Sequence, residues 1–240
     1  PSFSADEIRR MRGLSYPQLV VAVMRPFVGD SIDEQTLSAM AQRAYAHFSH
    51  SAIAPIKQLE TNLFFMELFQ GPTLAFKDFA LQFLGQLFEY FLARRGEHCT
   101  IVGATSGDTG SAAIEAVRGI KGVELFMLHP NGRVSAVQRR QLTYVTDANI
   151  HNLAIEGHFD DCQNLVKAMF NDNAFRDEMN LSAVNSINWA RIAAQVVYYF
   201  RAALALGGPD RPIAVSVPTG NFGNIFAAYV ASKMGLPIER

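Results

Sequence analysis

Residues 99–119 read CTIVGATSGDTGSAAIEAVRG. CTIVGAT is an unbroken apolar run of strand length, SGDTG has turn composition, and SAAIEAVRG is a helical stretch closed by Gly119. The same order recurs downstream. VELFMLH (123–129) is a second strand, and strand, loop and helix return through NIHNLAI, FDDCQNLVKAMF and INWARIAAQVVYYFRAALAL, then through IAVSV (213–217), PTGNFGN and IFAAYVASKMG. Short apolar runs alternating with helical stretches predict an α/β fold in which parallel sheets are covered by helices. Upstream, the first 60 residues read as mainly helical and more polar, and no chemistry attaches to them.

The 240 residues are 49% hydrophobic and 18% charged, enough apolar material for a real core in one large domain or two small ones. Twenty-one basic and 22 acidic residues leave a net charge of −1, a balance that favours small molecules over nucleic acid or anionic lipid as partners. Cys99 and Cys162 are spaced neither as a disulfide framework nor as a zinc site, which points to a reducing, cytoplasmic setting. No apolar run reaches the length of a membrane span, and PSFSADEIRRMRG has no apolar signal core. The chain starts at Pro1 without a methionine and stops at LPIER just after a helical pattern, as a piece of a longer protein would.

Three features carry chemistry. After the turn residues GlnGlyPro (70–72), residues 73–95 contain no proline and one glycine. Their polar members Asp78, Gln82, Gln86 and Glu89 form one stripe at helical periodicity, a solvent-facing edge. Lys77 lies about 125° from the centre of that stripe, in register with Ala80, Leu81, Leu84, Phe88 and Phe91. A lysine packed inward favours its neutral, nucleophilic amine, the form that condenses with an aldehyde. The alternative is a lysine that snorkels to the surface from a helix start.

PTGNFGN (218–224) stands between the apolar IAVSV and a helical stretch, where two glycines three apart can aim successive N–H groups at one point and the helix dipole adds to them. That is a cradle for a phosphate. It lacks the Gly-Lys-Ser/Thr of a triphosphate loop and the third glycine of a dinucleotide loop, and a plain strand-to-helix turn reads equally well. ATSGDTGSAA (104–113) has the same arrangement, with hydroxyls at Thr105, Ser106, Thr109 and Ser111 that suit a carboxylate, or else form a capped turn. Asp108 would repel such a ligand, so its side chain is expected to point away or to cap the helix. A nucleophilic lysine, a phosphate cradle and a carboxylate cradle in one chain fit a cofactor with an aldehyde and a phosphate that acts on amino acids: pyridoxal 5'-phosphate (PLP).

ELFQGPTLAFKDFALQF (67–83) closely resembles the segment around the PLP lysine of threonine synthases. ATSGDTGSAA resembles their substrate loop, and NSINWARIAAQVVYYF (185–200) and VPTGNFGNIFAAY (217–229) resemble two further blocks, in the pattern of the enteric-bacterial and yeast branch. The resemblance implies the two-domain PLP fold type II, tryptophan synthase β-like, with the cofactor between the domains and the chain incomplete at its C-terminus. Residues 1–96, with the Lys77 helix, and 205–240 would belong to the larger domain, and 97–204 to the smaller α/β domain. Lys77 would hold the cofactor covalently, and Gly220, Asn221, Phe222, Gly223 and Asn224 would hold its phosphate. Thr105, Ser106, Gly107, Asp108 and Thr109 would line the amino-acid site. Arg191, whose fork suits a phosphate, is the expected partner of the substrate phosphate, or else a surface or structural arginine. Gln70 departs from the histidine usual in relatives, and the hydroxyl residue facing the pyridine nitrogen is expected beyond residue 240.

The reaction so implied converts O-phospho-L-homoserine and water to L-threonine and phosphate, with the Lys77 amine released to act as general base on the Cα proton. A phospho-lyase relative with the same machinery would instead give 2-oxobutyrate. A nicotinamide-dependent oxidoreductase would need a GxGxxG after an early strand and an acidic residue about 20 positions later, a pair this sequence lacks. A non-catalytic fragment is the remaining alternative.

Overall fold

The computed structural model describes residues 1–184 and 188–239. Helices α1 (Ala5–Arg10), α2 (Tyr16–Val28) and α3 (Glu34–Tyr45) open the chain. Each starts on a small polar residue, Ser4, Ser15 or Asp33, whose side-chain oxygen accepts the N–H three residues on. Tyr16, Leu19 and Val20 of α2 and Leu37, Met40 and Ala41 of α3 are buried, the i, i+3, i+4 pattern of helices packed on one face. An antiparallel hairpin follows, β1 (Ile56–Glu60) and β2 (Leu63–Met66).

From there the chain runs through α4 (Asp78–Arg95), β3 (Cys99–Ala104), α5 (Asp108–Val117), β4 (Val123–Pro130), α6 (Ala136–Thr143), β5 (Ile150–Ile155), α7 (Phe159–Asn171), α8 (Asn173–Glu178) and β6 (Leu181–Ser182). It continues through α9 (Trp189–Ala205), β7 (Ile213–Ala214), α10 (Gly223–Lys233) and β8 (Ile238–Glu239). Strands β5, β4, β3 and β6 lie side by side in that order, all parallel. Cys99, Thr100, Ile101 and Val102 of β3 are all buried, which is why the strand reads as a continuous apolar run rather than an alternating one. Val102 and Leu128 pack with Cys162 of α7. Both cysteines are buried and unpaired, and burial pushes the Cys99 thiol up to about 11.

The parallel sheet with its helices is as expected, but several local expectations need correction. The helix after SGDTG begins at Asp108, not Ser111, so half of the supposed turn is its first turn. Only Ile213 and Ala214 of IAVSV form a strand, paired with β8. Asp78 does not belong to a solvent-facing stripe: it is fully buried, because Thr73 folds back and donates both its N–H and its hydroxyl to the carboxylate.

The chain divides into two compact units, 1–71 with 189–240, and 72–188. These bounds do not coincide with divisions after residues 96 and 204. Helix α4 packs on α5 and so groups with the parallel sheet, whereas α9 packs on α2 and α10. The α4–α5 contact is close enough to require glycine. A Cβ at Gly85 would run into the carbonyl oxygen of Ala116. Gly85→Ala is therefore expected to destabilise the fold by about 2 kcal/mol despite alanine's better helix propensity. A urea melt checks this, and an unchanged or raised midpoint would refute so tight a contact.

Candidate active site

In the 72–188 unit, two segments far apart in sequence meet at one ion pair. The Lys77 Nζ donates to Asp108 Oδ2 at 2.7 Å. The lysine side chain is only 18% exposed, and its ammonium also lies 4.8 Å from the centre of the Phe76 ring. Lys77 occupies the N-cap position of α4 with helical φ and ψ, so the side chain leaves the chain where α4 begins. Asp108 is the first residue of α5. Its carboxylate neither points away nor caps its own helix as expected; it holds the lysine. The lysine is thus largely buried but paired, not sequestered among apolar neighbours.

Thr105 departs from the expected substrate-facing role. Its hydroxyl donates to the Gly107 carbonyl oxygen and accepts from the N–H groups of Gly107 and Gly110, and the residue is buried. All its hydrogen-bonding capacity is spent inside the loop, where it fixes the turn. Ser106 is exposed, and Thr109 borders a cavity of about 410 Å³ against β3, β4 and α7. Gly107 stands where a Cβ would meet the Gln138 amide.

In the unit formed by 1–71 and 189–240, Gly220, Asn221 and Phe222 are exposed, and Gly223 opens α10. A Cβ at Gly220 would meet nothing, so the space in front of the loop is open. The left-handed residue of the turn is Phe222, with φ 57°. Asn224 is anchored from behind: its Oδ1 accepts from the Tyr198 and Tyr199 hydroxyls at 2.5 and 2.7 Å, and its carbonyl oxygen from Tyr199 at 3.0 Å. Burial raises both phenols, so they remain donors and the Asn224 side-chain oxygen is fully engaged. Arg191, in the first turn of α9, is only 2% exposed, which removes the surface-arginine reading; its charge acts on the Tyr198 phenol against the effect of burial. Gln70 bridges Ser49 and Glu67. Asn185, Ser186 and Ile187, which begin the NSINWAR block, lie outside the described residues.

Among the helices whose starts are described, those at the lysine, SGDTG and GNFGN motifs begin differently from the others. α1, α2, α3, α6 and α8 each have an N-cap side-chain oxygen on their first turn, and in α7 Asp161 accepts the His158 N–H. The N-cap residues of α4, α5 and α10 are Lys77, Gly107 and Phe222, and none makes a side-chain cap bond. In α4 the N–H groups of Asp78, Phe79 and Ala80 bond the carbonyl oxygens of Ala75, Phe76 and Lys77, and in α5 the Thr105 hydroxyl accepts the Gly110 N–H, whereas the uncapped first turn of α10 keeps its N–H groups and dipole available to an anion.

A family model described as pyridoxal-phosphate dependent enzyme matches residues 50–239, and one described as threonine synthase N terminus matches residues 1–45. The chain belongs to the pyridoxal-phosphate dependent enzyme family. Within it, the chain is 57% identical over 240 residues to a threonine synthase of Pseudomonas aeruginosa, covering 100% of this chain and 51% of that protein. A crystal structure of PLP-bound threonine synthase from Brucella melitensis superposes with a TM-score of 0.97 at 58% identity, covering 100% of this chain and 52% of that one. Threonine synthase from yeast gives 0.93 at 45% identity, with 100% and 50% covered. The fold is PLP fold type II, and the chain spans about half the length of the relatives it matches. Among the described residues, no helix is long and apolar enough to cross a membrane.

The family's cofactor needs an amine for its aldehyde and donors for its phosphate. Lys77 offers the first, and the open, uncapped start of α10 the second. The geometry of that loop yields a stability test. A left-handed backbone costs a non-glycine residue about 1–2 kcal/mol, and the Phe222 ring is 68% exposed, so little burial offsets it. Phe222→Gly should stabilise the fold by about 0.5–1 kcal/mol after allowing for a freer unfolded chain, and Phe222→Val should destabilise it by about 1 kcal/mol. Equal denaturation midpoints for the two variants would show that the loop relaxes away from this conformation.

Proposed function

We propose that this chain is the part of a threonine synthase that carries the cofactor lysine, in a protein converting O-phospho-L-homoserine and water to L-threonine and phosphate. The observation that carries this reading is the Lys77–Asp108 contact, which joins the lysine motif to the SGDTG loop in one unit. It is supported by the match to threonine synthases along the whole chain. The free, buried cysteines are compatible with a reducing, cytoplasmic compartment.

In this reading Lys77 holds the cofactor aldehyde, and Gly220, Asn221, Phe222, Gly223 and Asn224 hold its phosphate. Pyridoxal phosphate, when bound, would supply an electron sink for the substrate's α carbon, the chemistry that loss of a γ-phosphate requires. Lys77 Nζ takes the Cα proton, and Asp108 Oδ2, already at hydrogen-bond distance, stabilises the resulting ammonium. Ser106, Gly107 and Thr109, at the start of α5, receive the substrate carboxylate, with Thr105 bracing the loop behind them. Arg191 remains the proposed partner of the substrate phosphate, a buried guanidinium fork being suited to that anion.

Lys77→Ala should remove the visible absorption of the PLP-loaded protein and lower turnover of O-phosphohomoserine by at least about 10²–10⁴-fold, because it deletes the covalent anchor and the base together. Full activity in that variant would end the assignment, and 2-oxobutyrate in place of threonine from the unaltered protein would make it a phospho-lyase. Thr109→Val should weaken O-phosphohomoserine binding about tenfold and leave PLP binding unchanged. Substrate titration of the visible spectrum and PLP titration of the apoprotein separate the two effects. Weaker PLP binding with unaltered substrate affinity would mean that the two anion sites are exchanged.

A further inference from the structure

We propose that Asp78 and Thr73 form a clamp that positions Lys77, Asp78 acting through the backbone and not on the amine. Asp78 adjoins Lys77 as the first residue of α4 and is fully buried. Both of its carboxylate oxygens accept from Thr73: the Thr73 hydroxyl donates to Oδ1 at 2.7 Å and the Thr73 N–H to Oδ2 at 2.8 Å, with the Ala75 backbone also acting on the carboxylate. Burying a carboxylate is costly, and burial pushes this carboxyl up, with the Thr73 bonds opposing the shift. Helix starts elsewhere in the chain are closed by exposed Ser or Asp side chains at far lower desolvation cost.

What the clamp holds is the turn that delivers Lys77. Leu74 within it is left-handed, with φ 61°, a conformation that a non-glycine side chain resists. The two bonds from Thr73 to Asp78 close the turn around that residue, and the Gln141 side chain donates to the Thr73 carbonyl oxygen at 3.3 Å, tying the turn to α6. On its other side the Lys77 carbonyl oxygen accepts the Leu81 N–H inside α4. The Lys77 backbone is therefore fixed from both directions while its amine reaches Asp108. Strain of this kind persists where surrounding bonds over-determine the conformation.

The proposal rests on Lys77 being the cofactor lysine, and the test separates the two claims. The PLP-loaded protein is reduced with borohydride, and the rate of PLP trapping at Lys77 is followed by peptide mass mapping, with folding monitored by circular dichroism. Asp78→Ala is expected to slow trapping about tenfold, and Thr73→Val, which removes only the hydroxyl bond, about threefold. Asp78→Asn should restore near-normal trapping, because its Oδ1 can accept the Thr73 N–H while its Nδ2 donates to the Thr73 oxygen. A folded Asp78→Ala protein trapped at the wild-type rate would overturn the clamp, as would an Asp78→Asn protein as slow as Asp78→Ala. If Asp78→Ala fails to fold, Thr73→Val decides alone, and a wild-type rate there overturns the proposal. If the unaltered protein is not trapped at Lys77, the lysine assignment falls and the clamp with it; trapping at Lys77 that ignores both Asp78→Ala and Thr73→Val removes only the clamp.

Discussion

A helix begins with N–H groups that have no partner inside it, and the local chemistry of this chain depends on how each helix answers that constraint. Most do so with a neighbouring serine or aspartate that folds over the first turn. The three that carry the lysine, the SGDTG loop and the GNFGN loop have no such N-cap: α4 gives its first N–H groups to the carbonyls of residues 75–77, α5 uses the Thr105 hydroxyl from within the preceding loop, and α10, entered through a left-handed phenylalanine, leaves its first turn open. The stability forgone at the α10 end is typically about 1 kcal/mol. In exchange, the positive end of α10 remains open to an anion.

The parallel sheet supplies the placement. Strands β3 and β4 run the same way, so the loop leaving β3 and the start of α5 lie at the carboxyl edge of the sheet, where ligands of open α/β sheets are bound. Thr105, the residue directly after β3, turns its hydroxyl back into the loop and converts a flexible Ser-Gly-Asp sequence into a fixed turn. A residue that looks like a ligand donor is here the frame for its neighbours.

Much of this was readable from the sequence because it rests on composition and order. The buried strand at 99–104 had to be apolar throughout, and the Lys77 and GNFGN segments keep recognisable neighbours. The corrections share a physical cause: each depends on a hydrogen bond that periodicity cannot see. Helical spacing puts Asp78 with Gln82, Gln86 and Glu89, and only the return of Thr73 turns it inward. Spacing likewise presents Thr105 as a donor to solvent, and only the positions of Gly107 and Gly110 show the hydroxyl to be occupied. Asp108 could be judged awkward beside a carboxylate, but its partner lies 31 residues away, beyond local reasoning. Strand β7 is shorter than IAVSV suggests, because an apolar run gives no information about whether a neighbour exists to pair with it.

The approach of Gly85 to the Ala116 carbonyl has a mechanical side. Lys77 lies eight residues before Gly85, and Asp108 lies eight residues before Ala116, so two helical arms of equal length, each about 12 Å, run from one crossing point to the two ends of the ion pair. They behave like the blades of scissors whose pivot has no washer. Opening the blades by about 10° would separate their tips by about 2 Å, enough to part an amine from a carboxylate at hydrogen-bond distance. The spacing of Lys77 and Asp108 is thus geared to a contact made by two backbones that carry no charge.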